Sequence, residues 1–183
     1  MKSWKIFLLI PFLFLTMSEA NATNLEDTLY LDLKDGRVVI ALRPDLAPNH
    51  VARIKELARE GFYDGLNFHR VIDGFMAQTG DPRGNGTGGS GTNLKAEFSN
   101  EPHVKGTLSM ARAQDPDSAD SQFFIMFAPA PFLDNQYTVW GQVTSGIEFV
   151  DNIKKGDQQA NGTVADPDKI IHLRVAADVE AGK

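Results

Sequence analysis

The 183-residue sequence contains no cysteine, no excess of positive charge and no apolar run of membrane-spanning length. The lack of cysteine excludes disulfides, thiolate zinc sites, iron–sulfur clusters and a cysteine nucleophile. A formal net charge of −6 and an isoelectric point near 5.2 argue against nucleic-acid binding, because contact with phosphates requires a basic surface. What is present, 42% hydrophobic and 23% charged residues, predicts one folded domain with a real core.

The first 22 residues have the pattern of a secretory signal peptide. Two positive residues precede an apolar run and a small-x-small cleavage pattern: Lys2 and Lys5, residues 6–15 (IFLLIPFLFL), and Ala20-Asn21-Ala22. Ten apolar residues, interrupted by a proline, are too short for a bilayer that needs about 20. We expect cleavage after Ala22, with Ala20 as the second choice.

Residues 23–183 are then predicted to form one soluble, exported domain with no stable membrane insertion. Removing the signal takes away Lys2, Lys5 and Glu19, which changes the formal net charge from −6 to −7. A cysteine-free exported chain fits the bacterial periplasm, where unpaired thiols are oxidised. No segment gives a signal for oligomerisation, so we expect a monomer.

Short alternating segments predict a β-rich fold. Residues 28–34 and 38–42 alternate apolar and polar, and Asp35-Gly36 between them is typical of a type I′ hairpin. A helical apolar stripe runs from Pro48 to the capping Gly61, and a second, shorter helix is predicted around residues 146–154. The pattern favours a barrel or sandwich capped by helices. The remaining candidate strands are residues 67–71, 76–79, 106–111, 123–128, 139–143 and 170–176.

Two motifs resemble ligand sites but lack the required context. Residues 84–89 (GNGTGG) match G-x-G-x-x-G, yet no strand precedes them and no helix opens within them, so we interpret them as a surface loop. Asp115, Asp117 and Asp120 crowd one loop, but the glycine and glutamate that a calcium loop needs are replaced by Asp120 and Met126. The four histidines are scattered. We therefore predict no metal site and no cofactor.

The segment Phe68–Asp81 carries the residues that suggest chemistry. Asp73-Gly74 is a predicted turn, which would place Arg70 and Gln78 on adjoining antiparallel strands. A permanent cation and an amide would then lie beside the apolar Phe75 and Met76. This combination suits a neutral ligand that has an apolar body and carbonyl groups.

This segment resembles the signature of the cyclophilin-type peptidyl-prolyl cis–trans isomerases, and the resemblance extends over roughly residues 28–175. It implies a closed, eight-stranded antiparallel β-barrel with a helix at either end, and isomerisation of Xaa-Pro bonds in unfolded or partly folded polypeptides. Further blocks agree in order and spacing: Gly86-Thr87-Gly88-Gly89, Leu108–Ala111, Ser121–Ile125, Leu133-Asp134 and Gly141-Gln142-Val143.

The resemblance also implies roles for individual residues. Arg70 would donate to the prolyl nitrogen of the twisted amide, and Gln78 would bind the substrate backbone. The residues that correspond to the family's apolar floor for the proline ring are Phe75, Met76, Phe124 and Leu133. The backbone edge that pairs with the peptide corresponds to Ala111 and Arg112, and Gln122 lies nearby in the family pattern. Because the reaction moves no proton, we interpret His69 as a buried, hydrogen-bonded structural residue.

Three positions depart from the eukaryotic members, which commonly carry Trp, His and Asn where this chain has Phe132, Tyr137 and Arg112. Phe132 keeps an apolar wall but lacks the indole N–H, so weak cyclosporin binding is expected. The alternative to an enzyme is a chaperone or adaptor that holds proline-containing segments with little turnover. The intact Arg70 favours the enzyme, since an apolar pocket alone would suffice for holding.

Overall fold

A computed structural model describes residues 24–182 of the chain. The predicted signal peptide and both candidate cleavage sites lie outside the described residues. Within residues 24–182, no helix is long and apolar enough to cross a membrane, and no group of three or more His, Asp or Glu side chains is placed to hold a metal ion.

One antiparallel sheet of eight strands forms the framework. In chain order the strands are β1 Thr28–Leu33, β2 Gly36–Leu42, β3 Arg70–Ile72, β4 Met76–Thr79, β5 Thr107–Met110, β6 Phe123–Met126, β7 Val139–Ser145 and β8 His172–Val175. Their order across the sheet is β3-β4-β6-β5-β7-β2-β1-β8. The eight-stranded antiparallel architecture is therefore confirmed, and each strand bound lies within three residues of its prediction.

The two end strands, β3 and β8, meet through the segments that precede them. Asn67 forms a single bridge with Lys169, and the Phe68 N–H donates to the Asp168 carbonyl at 2.9 Å. The Gly65 N–H donates to the Ile170 carbonyl at 2.8 Å. The curled sheet is thus closed by loop backbone rather than by a continuous strand ladder, which refines the expected barrel.

Three α-helices accompany the sheet within residues 24–182, where two were predicted. Helix α1, Pro48–Arg59, agrees with its prediction, but α2, Ile147–Asp151, is shorter than the predicted residues 146–154. Helix α2 starts after Gly146, whose φ of +79° is left-handed, and ends at Asp151, with Asn152 as its C-cap. The third, α3 (Ala176–Glu180), was missed because its five residues are too few for a periodic signal.

The barrel interior is filled by the alternating residues of the strands. Leu29, Leu31, Val38 and Ile40 are fully buried, which confirms the faces predicted for the first hairpin. Large side chains from later elements complete this core: Trp140 packs edge-on against Phe123 at 5.3 Å, Tyr63 packs edge-on against Phe123 at 5.5 Å, and α1 contributes Val51, Ile54 and Leu57. This core fixes the positions of β4, β5 and β6.

Gly80, directly after β4, shows how tightly these strands are packed. Its φ is +85°, and an added Cβ would overlap the carbonyl oxygen of Ser121 and lie 2.9 Å from the Cα of Gln122. Gly80→Ala is therefore expected to lower the free energy of unfolding by about 2–5 kcal/mol, from left-handed strain plus overpacking. Urea unfolding of residues 23–183, followed by Trp140 fluorescence, measures the loss.

Gly74→Ala is the matched control for this substitution. Gly74 also has a left-handed φ, +69°, but nothing lies within 4 Å of its added Cβ. The Gly74→Ala variant should therefore lose only the free energy of unfolding that left-handed backbone strain costs, about 1–2 kcal/mol. Equal losses at the two glycines would contradict the packing argument.

Candidate active site

The β3–β4 hairpin brings the charged and amide side chains together. Asp73-Gly74 forms the turn, and the register pairs Arg70 with Gln78 across the two strands, as predicted. Residues opposite each other in an antiparallel pair lie on the same face. Arg70 and Gln78 therefore share one face of the sheet, and Met76 of the same strand as Gln78 lies on that face too.

Strands β4 and β6 are buried on both faces. Ala77, Phe123 and Ile125 point into the barrel core, whereas Met76 and Phe124 belong to a separate apolar cluster on the outer face. This second face is covered by the loop after β6. The buried members of this outer cluster are Met76, Phe124, Met126, Ala130 and Leu133. A continuous apolar run such as Phe123–Met126 is what a strand covered on both sides requires.

A cavity of about 240 Å³ opens above this outer cluster. The floor of the cavity is apolar and buried, whereas the wall formed by Phe132 is exposed to solvent. The Phe132 side chain is 70% exposed, and its ring centroid lies 5.7 Å from that of Phe75. Ten residues line the cavity, and every one of them was a predicted site residue: Arg70, Phe75, Met76, Gln78, Ala111, Arg112, Phe124, Phe132, Leu133 and Tyr137.

The Arg70 guanidinium is held by neutral oxygen atoms. Its Nε donates to the Asn161 carbonyl at 3.1 Å, its Nη2 to Asn161 Oδ1 at 3.0 Å, and its Nη1 to Gln78 Oε1 at 3.2 Å. Among residues 24–182 no carboxylate forms an ion pair with it. Burial lowers the pKa of Arg70, yet a guanidinium starts so high that the side chain stays protonated at neutral pH.

Gln122, the eleventh predicted residue, extends this network away from the cavity. Gln78 Nε2 donates to Gln122 Oε1 at 2.9 Å, and Gln122 Nε2 donates to the carbonyls of Gly86 and Gly88 at 3.1 and 2.8 Å. Gln122 therefore lines a neighbouring cavity of about 390 Å³ and does not line the cavity of about 240 Å³ above the outer cluster. It ties the position of Gln78 to residues 83–89, here called the Gly-rich loop.

The Gly-rich loop is built around Asp81. Burial alone would raise the pKa of this carboxyl, but backbone N–H groups of the loop, from Arg83, Gly86 and Asn85, together lower it. The added Cβ of an alanine at position 88 would collide with the same carboxylate. The loop lies between turns and bends, without the strand and helix that a dinucleotide site needs, in agreement with the rejection of that motif.

Arg112 stacks over the ring of Tyr137, with its guanidinium carbon 4.8 Å from the ring centroid. Phe98 lies at 5.7 Å on the same guanidinium. Tyr137 in turn packs edge-on against Phe124 at 5.7 Å. The aromatic wall at Tyr137 is therefore positioned from both sides.

Sequence reasoning missed two supporting residues. Asn161, with a left-handed φ of +54°, reaches Arg70 from a loop 91 positions later, and only its Asn-Gly dipeptide gave a turn signal. His103 stacks on Phe124 at 6.3 Å and contacts Ser109 Oγ at 3.0 Å through Nε2 and Asp134 Oδ1 at 2.9 Å through Nδ1. The backbone N–H and ring of His103 lower the pKa of Asp134. This contact fixes the loop that carries Leu133.

The interpretation of His69 needs a correction. The residue is buried as expected, but neither ring nitrogen has a hydrogen-bond partner among residues 24–182. Burial lowers the pKa of His69, and the nearby Asp81 only partly opposes this effect. His69 is therefore a neutral packing residue beside the Gly-rich loop, and its one polar contact, with the backbone of Asn67, is too poorly aligned to count as a regular hydrogen bond.

Comparisons with known proteins agree with this geometry. Residues 28–175 match the family model described as cyclophilin type peptidyl-prolyl cis-trans isomerase/CLD. A probable peptidyl-prolyl cis-trans isomerase of Brucella suis is 57% identical over 173 residues, which cover 88% of each chain. Peptidyl-prolyl cis-trans isomerase B of Bacillus subtilis is 50% identical over 133 residues, covering 71% of this chain and 92% of its own.

Solved structures show the same fold. The cyclophilin AquaCyp293 from Hirschia baltica superposes with a TM-score of 0.75 at 27% identity, covering 85% of this chain and 76% of its own. A cyclophilin-type peptidyl-prolyl cis-trans isomerase of Cryptosporidium parvum, crystallised in the presence of the dipeptide Ala-Pro, gives a TM-score of 0.74 at 27% identity. It covers 81% of this chain and 98% of its own.

Proposed function

The chain belongs to the cyclophilin-type peptidyl-prolyl cis–trans isomerases, and we propose that Arg70 lowers the barrier by stabilising the twisted prolyl amide without any covalent step. The observation that carries this proposal is the Arg70 guanidinium, which has no carboxylate partner among residues 24–182 and lines a cavity of about 240 Å³ with an apolar floor. The proline ring of the substrate occupies that cavity.

The chemical problem is rotation about a conjugated bond. Rotation of a peptide bond costs about 18–20 kcal/mol because the nitrogen lone pair is delocalised into the carbonyl. An Xaa-Pro bond interconverts in roughly tens to hundreds of seconds, so turnover in milliseconds needs an acceleration of about 10⁴–10⁵, or roughly 5.5–7 kcal/mol. In the twisted state the lone pair is localised on nitrogen and accepts a hydrogen bond. A donor at this nitrogen therefore stabilises the twisted state over both planar states.

Arg70 is suited to that role because its guanidinium is charged and is held in one orientation by hydrogen bonds. Three of its five N–H groups bind Asn161 and Gln78, which leaves two for the substrate. The guanidinium is oriented before the substrate arrives, so little reorganisation is needed during rotation. Because no carboxylate neutralises it, its full positive charge acts on the developing lone pair.

The other predicted site residues bind the substrate in this proposal. Met76, Phe124 and Leu133 form the buried floor that grips the proline ring. Gln78 donates to or accepts from the peptide backbone next to Arg70. Support comes from the Cryptosporidium parvum relative, whose structure was obtained in the presence of Ala-Pro.

Arg70→Ala is expected to reduce kcat/KM for a short Xaa-Pro peptide by about 10²–10³-fold, as loss of one preorganised donor does in other enzymes. Arg70→Lys should recover part of the rate, because the charge remains but the planar fork is lost. NMR exchange spectroscopy on residues 23–183 measures both. Arg37→Ala, which removes a guanidinium paired with Asp32 away from the cavity, is the control and should keep the wild-type rate.

The same experiment distinguishes an isomerase from a chaperone or adaptor that binds proline-containing segments with little turnover. Peptide binding by the wild-type protein without acceleration would favour a chaperone or adaptor. An Arg70→Ala rate equal to that of Arg37→Ala would contradict the role of Arg70 even if the wild type is active.

The clients are exported proteins in this proposal, because the first 22 residues have the signal-peptide pattern. The enzyme would then act on partly folded chains in a bacterial periplasm. Expression of the full chain in a Gram-negative host should give a periplasmic protein whose mass corresponds to a start at Thr23, or at Asn21. A cytoplasmic product that retains Met1–Ala22 would contradict export.

Weak cyclosporin binding and a monomeric state remain predictions. Phe132 is 70% exposed and has no N–H to donate, so it offers a ligand surface but no hydrogen bond. Tyr137 keeps the aromatic character of the opposite wall.

A further inference from the structure

We propose that Arg112 makes the enzyme prefer Xaa-Pro segments that carry an acidic side chain close to the proline. The carboxylate of that side chain would bind in the cavity of about 390 Å³, next to the cavity that takes the proline ring. The inference rests on the proposed function, since it specifies which substrates the same site takes. It starts from the position of Arg112 between two cavities and from the way its charge is balanced.

The two cavities share one boundary. The first cavity, about 240 Å³ with an apolar floor, and the second cavity, about 390 Å³, are both lined by Gln78, Ala111 and Arg112. A peptide whose proline occupies the first cavity passes these residues with its flanking chain. The second cavity is walled mainly by polar groups of the Gly-rich loop and of residues 118–122. It is therefore suited to a polar flanking side chain rather than to a second apolar one.

The charge of Arg112 is not paired. Its Nε donates to the Gln136 carbonyl at 3.0 Å, and its Nη1 to the carbonyls of Ala113 and Gln114 at 2.9 and 3.2 Å. Nη2 has no partner among residues 24–182, which leaves two N–H donors free for a ligand. Five other arginines do form ion pairs: Arg37, Arg43, Arg53, Arg59 and Arg174.

The one acidic residue that lines the second cavity does not take the place of a substrate carboxylate. Asp120 accepts hydrogen bonds from the backbone N–H groups of Ser90 and Gly91 at 3.0 and 2.8 Å, and from the Ser90 hydroxyl. Both of its oxygens are used in this way, and it forms no ion pair with Arg112. The cavity thus keeps a free cation and an anion that is already satisfied.

The aromatic rings hold the guanidinium of Arg112 in position. Tyr137 lies at 4.8 Å and Phe98 at 5.7 Å, and three backbone carbonyls fix its edge. A side chain restrained in this way loses little freedom when it binds a carboxylate. Arg70 and Arg112 both line the first cavity without a carboxylate partner among residues 24–182, so the charge there is positive although the formal net charge of the protein is −6. In the second cavity the formal charges of Arg112 and Asp120 balance, and the preference for a carboxylate there depends on the free N–H donors of Arg112.

The test compares peptides that differ only in one side chain. Glu, Gln or Lys is placed two residues before or two residues after the proline, and kcat/KM is measured by NMR exchange. At one of the two positions we expect Glu to exceed Gln by about three- to tenfold, the size expected of a partly exposed, charge-assisted contact. Lys should be the poorest, and about 0.5 M salt should reduce the difference.

Variants then identify Arg112 as the source of the preference. Each variant is judged by its own Glu-to-Gln ratio, which does not depend on its basal rate. The ratio should fall to about one in Arg112→Gln and stay intermediate in Arg112→Lys. Arg37→Gln is the matched control: Arg37 also stacks on a tyrosine, Tyr30, at 4.5 Å, but away from the cavities, so the ratio should remain at its wild-type value.

The possible failures are distinguishable. Equal rates for Glu and Gln peptides at both positions in the wild type, or an unchanged ratio in Arg112→Gln, would overturn this inference while leaving the isomerase mechanism intact. A wild-type protein that does not accelerate even the Gln peptides would instead contradict the proposed function itself.

Discussion

The site depends on an arginine that is fixed by neutral oxygen atoms instead of by a carboxylate. A carboxylate would hold Arg70 more strongly, but it would also cancel the charge that, in our proposal, acts on the prolyl nitrogen. Asn161 and Gln78 orient the guanidinium and leave its charge unpaired. Because the Arg70 cation is partly buried and has no anion beside it, amide dipoles must stabilise its charge. The hydrogen-bond network from Asn161 through Gln78 to Gln122 and the Gly-rich loop supplies these dipoles.

This network needs a rigid platform, which strands β4 and β6 provide because both of their faces are packed. One face, with Phe123 and Ile125, belongs to the barrel core; the other, with Met76 and Phe124, forms the floor of the cavity. The floor of the cavity is therefore the outer face of the same strands whose inner face packs into the main core. Gly80 lets β4 approach β6 closely enough for Gln78 to reach Gln122.

Local patterns in the sequence predicted the parts of the structure that local physics determines. The alternation of Leu29 and Leu31, the Asp73-Gly74 turn and the pairing of Arg70 with Gln78 all follow from contacts between residues close along the chain. Of the ten residues that line the cavity, Arg70, Phe75, Met76 and Gln78 were singled out from their own segment, and the other six were named through the family resemblance, which carries long-range information.

Features that depend on distant contacts were not predicted. Asn161 reaches Arg70 across 91 positions, and no local periodicity encodes that contact. The closure of the sheet through Asn67 and Lys169, and the five-residue helix α3, likewise depend on tertiary packing. A structural role for His69 was predicted because the reaction moves no proton, whereas the lack of well-aligned partners for its ring nitrogens depends on the tertiary packing around it.

The central claim is that Arg70, held by Asn161, stabilises the twisted amide and not either planar isomer. It is tested most directly by measuring the two interconversion rates of a bound Xaa-Pro peptide in the wild type and in Asn161→Gly, which keeps the left-handed backbone but removes the side-chain contact. Asp166→Gly, at another left-handed position, is the control. If Arg70 acts on the twisted state alone, both rates in Asn161→Gly should fall by the same factor, about two- to tenfold for one lost hydrogen bond, with an unchanged cis-to-trans ratio on the enzyme. Unchanged rates, or a shift in that bound ratio, would contradict the central claim.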